Sequence, residues 1–314
     1  VDVGDTLTFS LDVFPSGMTI DGATGGISWV PDISHVGQPN DVTVRVTDDG
    51  SPVNLSATQS FQINVTPAGG PPVVLYLSLI NDGTVGGVTY ADEDILSYDS
   101  DGNYAMFFDG SAAGVAFDVF GFDVLDANTV LLSFSNNQTL PGGVSVTNQD
   151  IVAYDMGAQT FSLYFDGSDV GLSGDADRLD GFNVLADGSL IITTRGAPTV
   201  PGVTGAADED LLRFIPDPGG IGDDTSAGTW EMYFDASDAG IGGDTNAVAV
   251  AANGDIYLSN NGVQTLSGVT GQNEDVLICV SPTTGTTSAC SSGSLFFEGI
   301  ANGTSDNVDA IDLP

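Results

Sequence analysis

The sequence predicts an all-β protein in which a small β-module precedes a four-bladed β-propeller. Short runs of alternating apolar and polar residues follow one another along the chain, separated by Gly, Pro and Asp. From residue 73 onward, two motifs recur four times in the same order. The two ends of this repeated region complement each other as parts of one repeat. We assign residues 1–65 to the module, 66–72 to a linker and 73–314 to the propeller.

Four runs in the N-terminal module have the alternation of strands with one buried face, namely residues 6–13, 26–30, 42–46 and 61–65. No helical period is visible between them. Trp29 is the largest apolar group among alternating neighbours, and we predict that it belongs to the core. The segment that follows, residues 66–72, holds two glycines and three prolines, which predicts a short, semi-rigid linker.

Several segments of the module carry a resemblance to a known family. They begin at Gly4 (Gly-Asp-Thr-Leu-Thr-Phe-Ser-Leu), Pro15 (Pro-Ser-Gly-Met-Thr-Ile-Asp), Thr24 (Thr-Gly-Gly-Ile-Ser-Trp-Val-Pro) and Val42 (Val-Thr-Val-Arg-Val-Thr-Asp). Together they resemble the dystroglycan-type cadherin-like, or Ig-like, family over about 65 residues. The resemblance implies a β-sandwich. It also implies calcium near Asp2, Asp5 and the Asp48–Asp49 loop.

The family normally has one or two further strands before the equivalent of residues 2–6, where this sequence begins. A sandwich without them would expose a sheet edge. Either upstream residues or another chain would then supply the strand.

Two motifs define the repeat. The acidic motif starts at Asp92, Asn148, Asp208 and Asn273, at intervals of 56, 60 and 65 residues. The aromatic motif starts at Phe107, Tyr164, Tyr233 and Phe296. Each repeat contains four strand-like runs, as a propeller blade does. The run at residues 73–79 matches a second strand and the run at 308–313 a first strand, so the two ends would close the ring. A β-solenoid is the alternative fold.

The repeats resemble sequences common in secreted bacterial proteins. We predict that their aromatic residues and Trp230 form the core between blades, with a sugar-stacking platform as the alternative.

The chain is strongly acidic. It has 43 Asp and Glu against four Arg and no Lys, a formal net charge of -39. This charge excludes the electrostatic footprint of a nucleic-acid-binding protein and argues against an anionic membrane surface as partner. No apolar stretch of 18 residues exists, so no membrane insertion is expected.

Cys279 and Cys290 flank a turn-rich stretch and predict a disulfide, with two free thiols as the alternative. A disulfide indicates an oxidising, extracellular or cell-surface setting.

The long loops of the repeats should bring carboxylates together on one face of the ring. Like charges repel unless a cation intervenes, and carboxylates suit calcium. The predicted ligands are Asp166, Asp169, Asp175, Asp177 and Asp180, followed by Asp92, Asp94, Asp208 and Asp210 of the acidic motif. The alternative is that these acids cap turns by accepting backbone N–H bonds.

No catalytic site is predicted. The single histidine, His35, lies outside the repeats, which excludes a Ser/His/Asp set within the propeller. We expect a non-enzymatic extracellular structural or adhesive protein. It would be the subunit of a surface fibre in which copies of the chain join head to tail by strand complementation. The alternatives are a calcium-dependent propeller that binds surface glycans, and a glycosidase with two carboxylates about 5–10 Å apart.

Overall fold

The computed structural model describes residues 5–31, 39–50, 54–64, 72–222 and 225–314. The chain divides into two compact units, Val1–Gly70 and Pro71–Pro314. The predicted linker lies outside the described residues except for Pro72. His35 and Asp2 also lie outside them. Within the described ranges, no helix is long and apolar enough to cross a membrane.

The N-terminal unit is an antiparallel three-stranded sheet with a small hairpin. Its strands are β1 (Leu7–Val13), β2 (Thr19–Ile20), β3 (Ile27–Ser28), β4 (Pro39–Asp48) and β5 (Ser56–Asn64). The sheet order is β1-β4-β5, and β2 pairs with β3. Trp29 is only half-buried, and its Nε1 donates to the carbonyl oxygen of Ser16 at 3.0 Å. The prediction that Trp29 is core is therefore corrected, because part of its ring remains in solvent.

The second unit contains twenty-two further strands, which alternate long blade strands with short hairpins. In chain order they are β6 (Val73–Leu79), β7 (Gly83–Val85), β8 (Val88–Tyr90), β9 (Ile95–Asp99), β10 (Tyr104–Phe108), β11 (Val119–Asp126), β12 (Thr129–Phe134), β13 (Gln138–Leu140), β14 (Val144–Val146), β15 (Ile151–Asp155), β16 (Thr160–Phe165), β17 (Leu179–Val184), β18 (Leu190–Thr194), β19 (Leu211–Pro216), β20 (Gly228–Phe234), β21 (Thr245–Val250), β22 (Ile256–Asn260), β23 (Gln264–Leu266), β24 (Val269–Gly271), β25 (Val276–Val280), β26 (Ser292–Phe297) and β27 (Val308–Asp312).

Among the described residues of the second unit, five short helical segments follow the outer strands or precede inner ones. They are the α-helix α1 (Gly110–Ala113) and the 3-10 turns Gly167–Val170, Asp175–Asp177, Ala236–Ala239 and Ile300–Asn302.

Four antiparallel four-stranded sheets form the four blades of the propeller. From the axis outward they are β27-β6-β9-β10, β11-β12-β15-β16, β17-β18-β19-β20 and β21-β22-β25-β26. The inner strands β27, β11, β17 and β21 each lie against the next one around the ring. The last strand pairs with the first strand of the unit, with Ile311 opposite Leu77. The chain ends therefore close the ring as the sequence predicts.

The core lies between adjacent blades. The second aromatic residue of each motif is buried in all four blades: Phe108, Phe165, Phe234 and Phe297. The first aromatic residue is half-buried in three blades, and in the fourth, Phe296, it is 36% exposed. The core prediction therefore holds fully for the second residue of each pair only. The first residue has no cross-strand partner in any blade and forms a β-bulge, which leaves part of its side chain in solvent.

Two further core predictions concern the third and fourth blades. Trp230 is buried, and its ring lies 5.0 Å from that of Phe214. A disulfide joins Cys279 to Cys290, as predicted, and Cys279 is fully buried.

Candidate functional site

The last acid of each acidic motif is held by backbone N–H groups. These residues are Asp94, Asp150, Asp210 and Asp275, and all four are buried. One carboxylate oxygen accepts from the N–H three residues earlier, at 2.9, 2.7, 2.9 and 2.8 Å respectively. The other oxygen accepts from the N–H just after the aromatic strand, at 2.8, 3.1, 3.0 and 2.9 Å.

This arrangement assigns Asp94 and Asp210, two of the predicted calcium ligands, a structural role. Burial raises the pKa of both carboxyl groups, and the hydrogen bonds from the backbone counteract that shift. Each acid joins its turn to the exit of the neighbouring outer strand. These bonds are the ones that the alternative, in which the repeated acids stabilise turns, requires, and calcium binding by Asp94 and Asp210 stays a prediction.

Asp166 and Asp169 also hold loops. Asp166 Oδ1 accepts from the N–H of Ser168 at 2.9 Å, which caps the 3-10 turn. Asp169 Oδ2 accepts from the N–H of Ser226 at 3.0 Å, and Ser226 Oγ accepts from the N–H of Asp166 at 2.8 Å. The same pair of hydrogen bonds occurs between the third and fourth blades, where Ser288 bonds to Asp235 and Asp238. The loop before β20 is thus bound to the preceding blade's exit turn, which the sequence did not indicate.

The remaining three acids of the predicted five-acid set are separated. Asp177 accepts from the N–H groups of Ser173 and Gly174 at 3.0 and 2.7 Å. Asp175 is exposed on the same turn, whereas Asp180 is buried on the inner strand β17. In the described part of the chain, the carboxylates of this set do not gather within 4.8 Å of one another in threes.

One compact carboxylate group does occur among the described residues. The ligand atoms of Asp82, Asp92 and Glu93 all lie within 4.8 Å of one another. Burial and the neighbouring Asp92 raise the pKa of Glu93, and burial and Asp208 raise the pKa of Glu209 to about 7 at the equivalent place of the third blade. The sequence singled out Asp92 and Asp208 and missed Asp82, which follows β6, the second strand of the first blade, at the start of the same loop. Calcium binding here stays a prediction.

In the N-terminal unit, Asp48 and Asp49, two of the calcium ligands implied by the family resemblance, accept hydrogen bonds from the backbone. Asp49 Oδ1 accepts from the N–H of Thr6 at 2.7 Å. Asp48 Oδ1 accepts from the N–H of Leu55 at 2.7 Å and from that of Gly50 at 3.3 Å. Calcium near Asp5 and Asp48 likewise stays a prediction.

The centre of the propeller has two mouths. At the mouth on the side of the acidic motifs, the second residues of the four inner strands form one layer, made of Asp309, Phe120, Asp180 and Asn246. Because β27 and β17 belong to the first and third blades, Asp309 and Asp180 come from opposite sides of the axis. Both are buried, with 4% and 5% of their surfaces exposed.

Two further aspartates precede inner strands at this mouth. Asp118 neighbours Asp309, and Asp244 neighbours Asp180. Burial and nearby carboxylates raise the pKa of Asp118 and of Asp180 to about 8. Burial and Asp118 raise the pKa of Asp309 strongly. We call Asp118, Asp180, Asp244 and Asp309 the axial carboxylates. Of these, only Asp180 was singled out from the sequence, although aligning the repeats would have revealed an acid near the start of every inner strand.

The opposite mouth is a cavity of about 370 Å³ with a satisfied polar ring. Asp312 Oδ2 accepts from the N–H of Val124 at 2.9 Å, and Asp123 Oδ2 accepts from the N–H of Val184 at 2.7 Å. Asn183 donates to Asp123 at 2.8 Å and accepts from the N–H of Val250 at 3.0 Å. This ring joins the inner strands of all four blades.

Comparisons with known proteins bear mainly on the N-terminal unit. Residues 1–66 match the family described as "Putative Ig domain". The N-terminal unit is an Ig-like domain. No curated protein matches the chain.

Three of the solved structures to which the chain is similar are the following. A Bacteroides thetaiotaomicron protein described as of unknown function is 10% identical, with 88% of this chain and 76% of that chain covered and a TM-score of 0.31. An extracellular domain of a "putative one component system" of the same organism is 12% identical, with 96% and 36% covered and a TM-score of 0.30. The Pan2 WD40 domain of Neurospora crassa is 9% identical, with 78% and 59% covered and a TM-score of 0.27. The propeller assignment itself follows from the strand pairing described above.

Proposed function

We propose that the protein is a non-enzymatic extracellular structural protein whose Ig-like domain takes up a β-strand from a neighbouring copy. Such contacts pass from one copy to the next and build a filament, since a heterologous contact that does not close propagates. The observation that carries the proposal is the incompletely covered apolar face of the sheet β1-β4-β5.

That sheet has two faces of opposite character. The strand register places Phe9, Val46 and Ala57 side by side on one face. Ser10, Arg45 and Thr58 lie together on the other face. The alternation is that of a sheet with one face directed toward a core.

The apolar face is only partly covered. Val42 is fully buried there, whereas Leu7 is 37% and Phe61 is 42% exposed. Met18, beside the β2–β3 hairpin, is the other apolar residue of this unit that is buried among the described residues. A second sheet would bury the remaining apolar surface, at roughly 25 cal/mol for each Å² removed from water.

The edges of the sheet suit strand addition. Within the described ranges, β1 and β5 each pair with one neighbour, so each presents a row of backbone N–H and C=O groups. An added strand would satisfy those groups, and every second side chain of that strand would extend the apolar face of the sheet.

Charge favours the Ig-like domain as the self-association surface. Residues 1–66 hold only eight of the chain's 43 acids, and the remaining 35 would make propellers repel one another. Assembly should therefore strengthen as salt screens that repulsion. An extracellular location is supported by the disulfide. Recognition of surface glycans and glycoside hydrolysis stay predictions.

The test is sedimentation velocity and electron microscopy of the full chain across a salt series. We expect concentration-dependent filaments that the Phe61→Asp variant loses. Thr58→Asp is the matched control, because it places the same charge on the polar face of the same strand, opposite Arg45. Phe61→Thr keeps the β-propensity of the position and should weaken assembly even if Phe61→Asp fails to fold.

Two results would overturn the whole proposal, and a third would contradict the role of the apolar face. One is a monomer at every salt and protein concentration. The other is a density map in which further residues of the same chain cover the apolar face. Equal loss of filaments in Thr58→Asp and Phe61→Asp would also contradict the role of this face.

A further inference from the structure

We propose that the axial channel of the propeller binds a divalent cation of the calcium type between Asp180 and Asp309, at the mouth on the side of the acidic motifs. This site is separate from the Ig-like domain and from the surface group of Asp82, Asp92 and Glu93. It does not depend on filament formation.

The position of the two residues is the first support. Asp309 is the second residue of β27 and Asp180 is the second residue of β17, in blades that face each other across the axis. The equivalent residues of the other two blades are Phe120 and Asn246, which carry no charge. The layer therefore presents one carboxylate from each side of the channel.

The second support is a set of buried oxygens without hydrogen-bond partners. They are Asp118 Oδ1, Asp180 Oδ1, Asp244 Oδ1, Asp309 Oδ2 and the side-chain carbonyl oxygen of Asn307. Asp118 lies within hydrogen-bonding reach of Asp309, and Asp180 within reach of Asp244, so these carboxylate oxygens have a partner only when the pair holds a proton. Asn307, Asp180 and Asp309 are each at least 95% buried. Buried acceptors normally have partners, since an unsatisfied one loses its hydrogen bonds to water without replacement. The Asn307 side chain is neutral, so the lack of a hydrogen-bond partner for its oxygen does not depend on the protonation of the carboxylates.

The local charge is not balanced by the protein. Four axial carboxylates meet two guanidinium groups, those of Arg178 and Arg195, which act on Asp180. Arg178 is in addition placed over the ring of Phe120, 5.0 Å from its centre. Three buried carboxylates and the partly buried Asp244 cannot all be ionised beside two arginines without a further cation or bound protons.

The chemistry of the donors selects the cation. Carboxylate and amide oxygens are hard ligands, and calcium accepts six to eight of them in a flexible arrangement. The axial carboxylates form two pairs, Asp118 with Asp309 and Asp180 with Asp244, one on each side of the channel. Calcium has longer bonds to oxygen and a flexible geometry, so two carboxylate pairs on opposite sides of the channel can both bind it. Magnesium requires a near-ideal octahedron and suits this arrangement less well.

The competing explanation is that each pair shares a proton and no metal binds. Titration of the full chain with calcium after treatment with a chelator distinguishes the two. We expect calcium binding by equilibrium dialysis together with a calcium-dependent rise in the propeller's unfolding temperature. The test variant is Asp180→Asn with Asp309→Asn, which keeps side-chain volume and removes both central charges.

This variant should bind one equivalent of calcium fewer than the wild type, or should bind it with lower affinity. The loss of affinity should exceed the roughly 10–100-fold loss that follows when a residue hydrogen-bonded to a metal ligand is removed. Asp92→Asn is the matched control, because it disrupts the surface carboxylate group and leaves the axis intact. The chelator-treated double variant should unfold at a temperature equal to or above that of the chelator-treated wild type, because repulsion is relieved. This comparison shows that the variant folds.

The inference is overturned if the wild type binds no calcium at neutral pH, as the shared-proton explanation requires. It is also overturned if the double variant retains the wild-type stoichiometry and affinity while Asp92→Asn loses an equivalent. Neither result would affect the filament proposal, which is measured by assembly.

Discussion

The carboxylate of Asp150 accepts a hydrogen bond from the backbone N–H of Gly167, 17 residues later in the same blade, at 3.1 Å. This bond ties the acidic motif to the exit of the aromatic strand, and Asp94, Asp210 and Asp275 make the same bond in their own blades. An ideal Cβ on Gly167 would lie 2.3 Å from the carbonyl oxygen of Gln149, so the two segments are in close contact. The two recurring motifs are therefore one structural unit.

Replacing this acceptor tests the structural role. In Asp150→Asn, one oxygen becomes an NH₂ group that cannot accept, so a backbone N–H at Thr147 or Gly167 loses its partner. The free energy of unfolding of the propeller should fall by about 1–3 kcal/mol, as measured by denaturant unfolding.

Asp175→Asn in the same blade is the control for Asp150→Asn, since Asp175 is exposed. Its effect should stay within about 0.5 kcal/mol. A calcium-dependent loss in Asp150→Asn that disappears in chelator would contradict the structural role and favour a ligand role for the motif.

The disulfide should stabilise the fourth blade. It closes a loop with a sequence separation of 11 residues between β25 and β26. Replacing both cysteines by serine should lower the free energy of unfolding by about 2–3 kcal/mol in the chain-entropy description. The same loss should appear when the wild type unfolds in a reducing agent, whereas the reducing agent should not affect the double variant. Equal stability with and without reductant in the wild type would contradict this expectation.

The pH dependence of stability should reflect the polar ring at the opposite mouth. Burial and the neighbouring Asp123 raise the pKa of Asp312 from 3.8 to about 8. The native state therefore holds a proton that the unfolded state releases, so this contribution is complete below pH 4 and is lost as pH rises through 8. Between pH 4 and pH 8 the free energy of unfolding should therefore fall less steeply in Asp312→Asn than in the wild type. The difference in slope should be up to about 1.4 kcal/mol per pH unit.

Denaturant unfolding at pH 5, 6, 7 and 8 in chelator measures that slope. The asparagine should be tolerated, because Asn183 occupies the equivalent place of the third blade and accepts from the N–H of Val250 at 3.0 Å. Identical slopes in wild type and variant would contradict the shifted pKa of Asp312.

Local patterns in the sequence determined most of the fold. Alternating runs have a period that only strands share, and they located β1, β4 and β5 in the N-terminal unit. Repetition at nearly constant spacing gave four blades, and the complementary runs at the two ends of the repeats gave ring closure. The disulfide followed from two cysteines that flank a turn-rich stretch.

The sequence did not decide which acids serve the backbone and which face the axis. Asp177 and Asp180 are three residues apart, yet Asp177 accepts backbone N–H groups in a turn while Asp180 carries a buried oxygen without a partner. The difference arises because the chain passes from a turn into an inner strand between them.

The sequence by itself thus determined the class of fold, the number of blades and the closure of the ring, because strand periodicity and repetition are local properties of a chain. Only the tertiary structure decided that Asp309 and Asp180 meet across the axis and that Phe61 lies on an open sheet face. Those relationships depend on packing between segments far apart in sequence. A carboxylate's environment is set by such neighbours and not by the residues beside it in the chain.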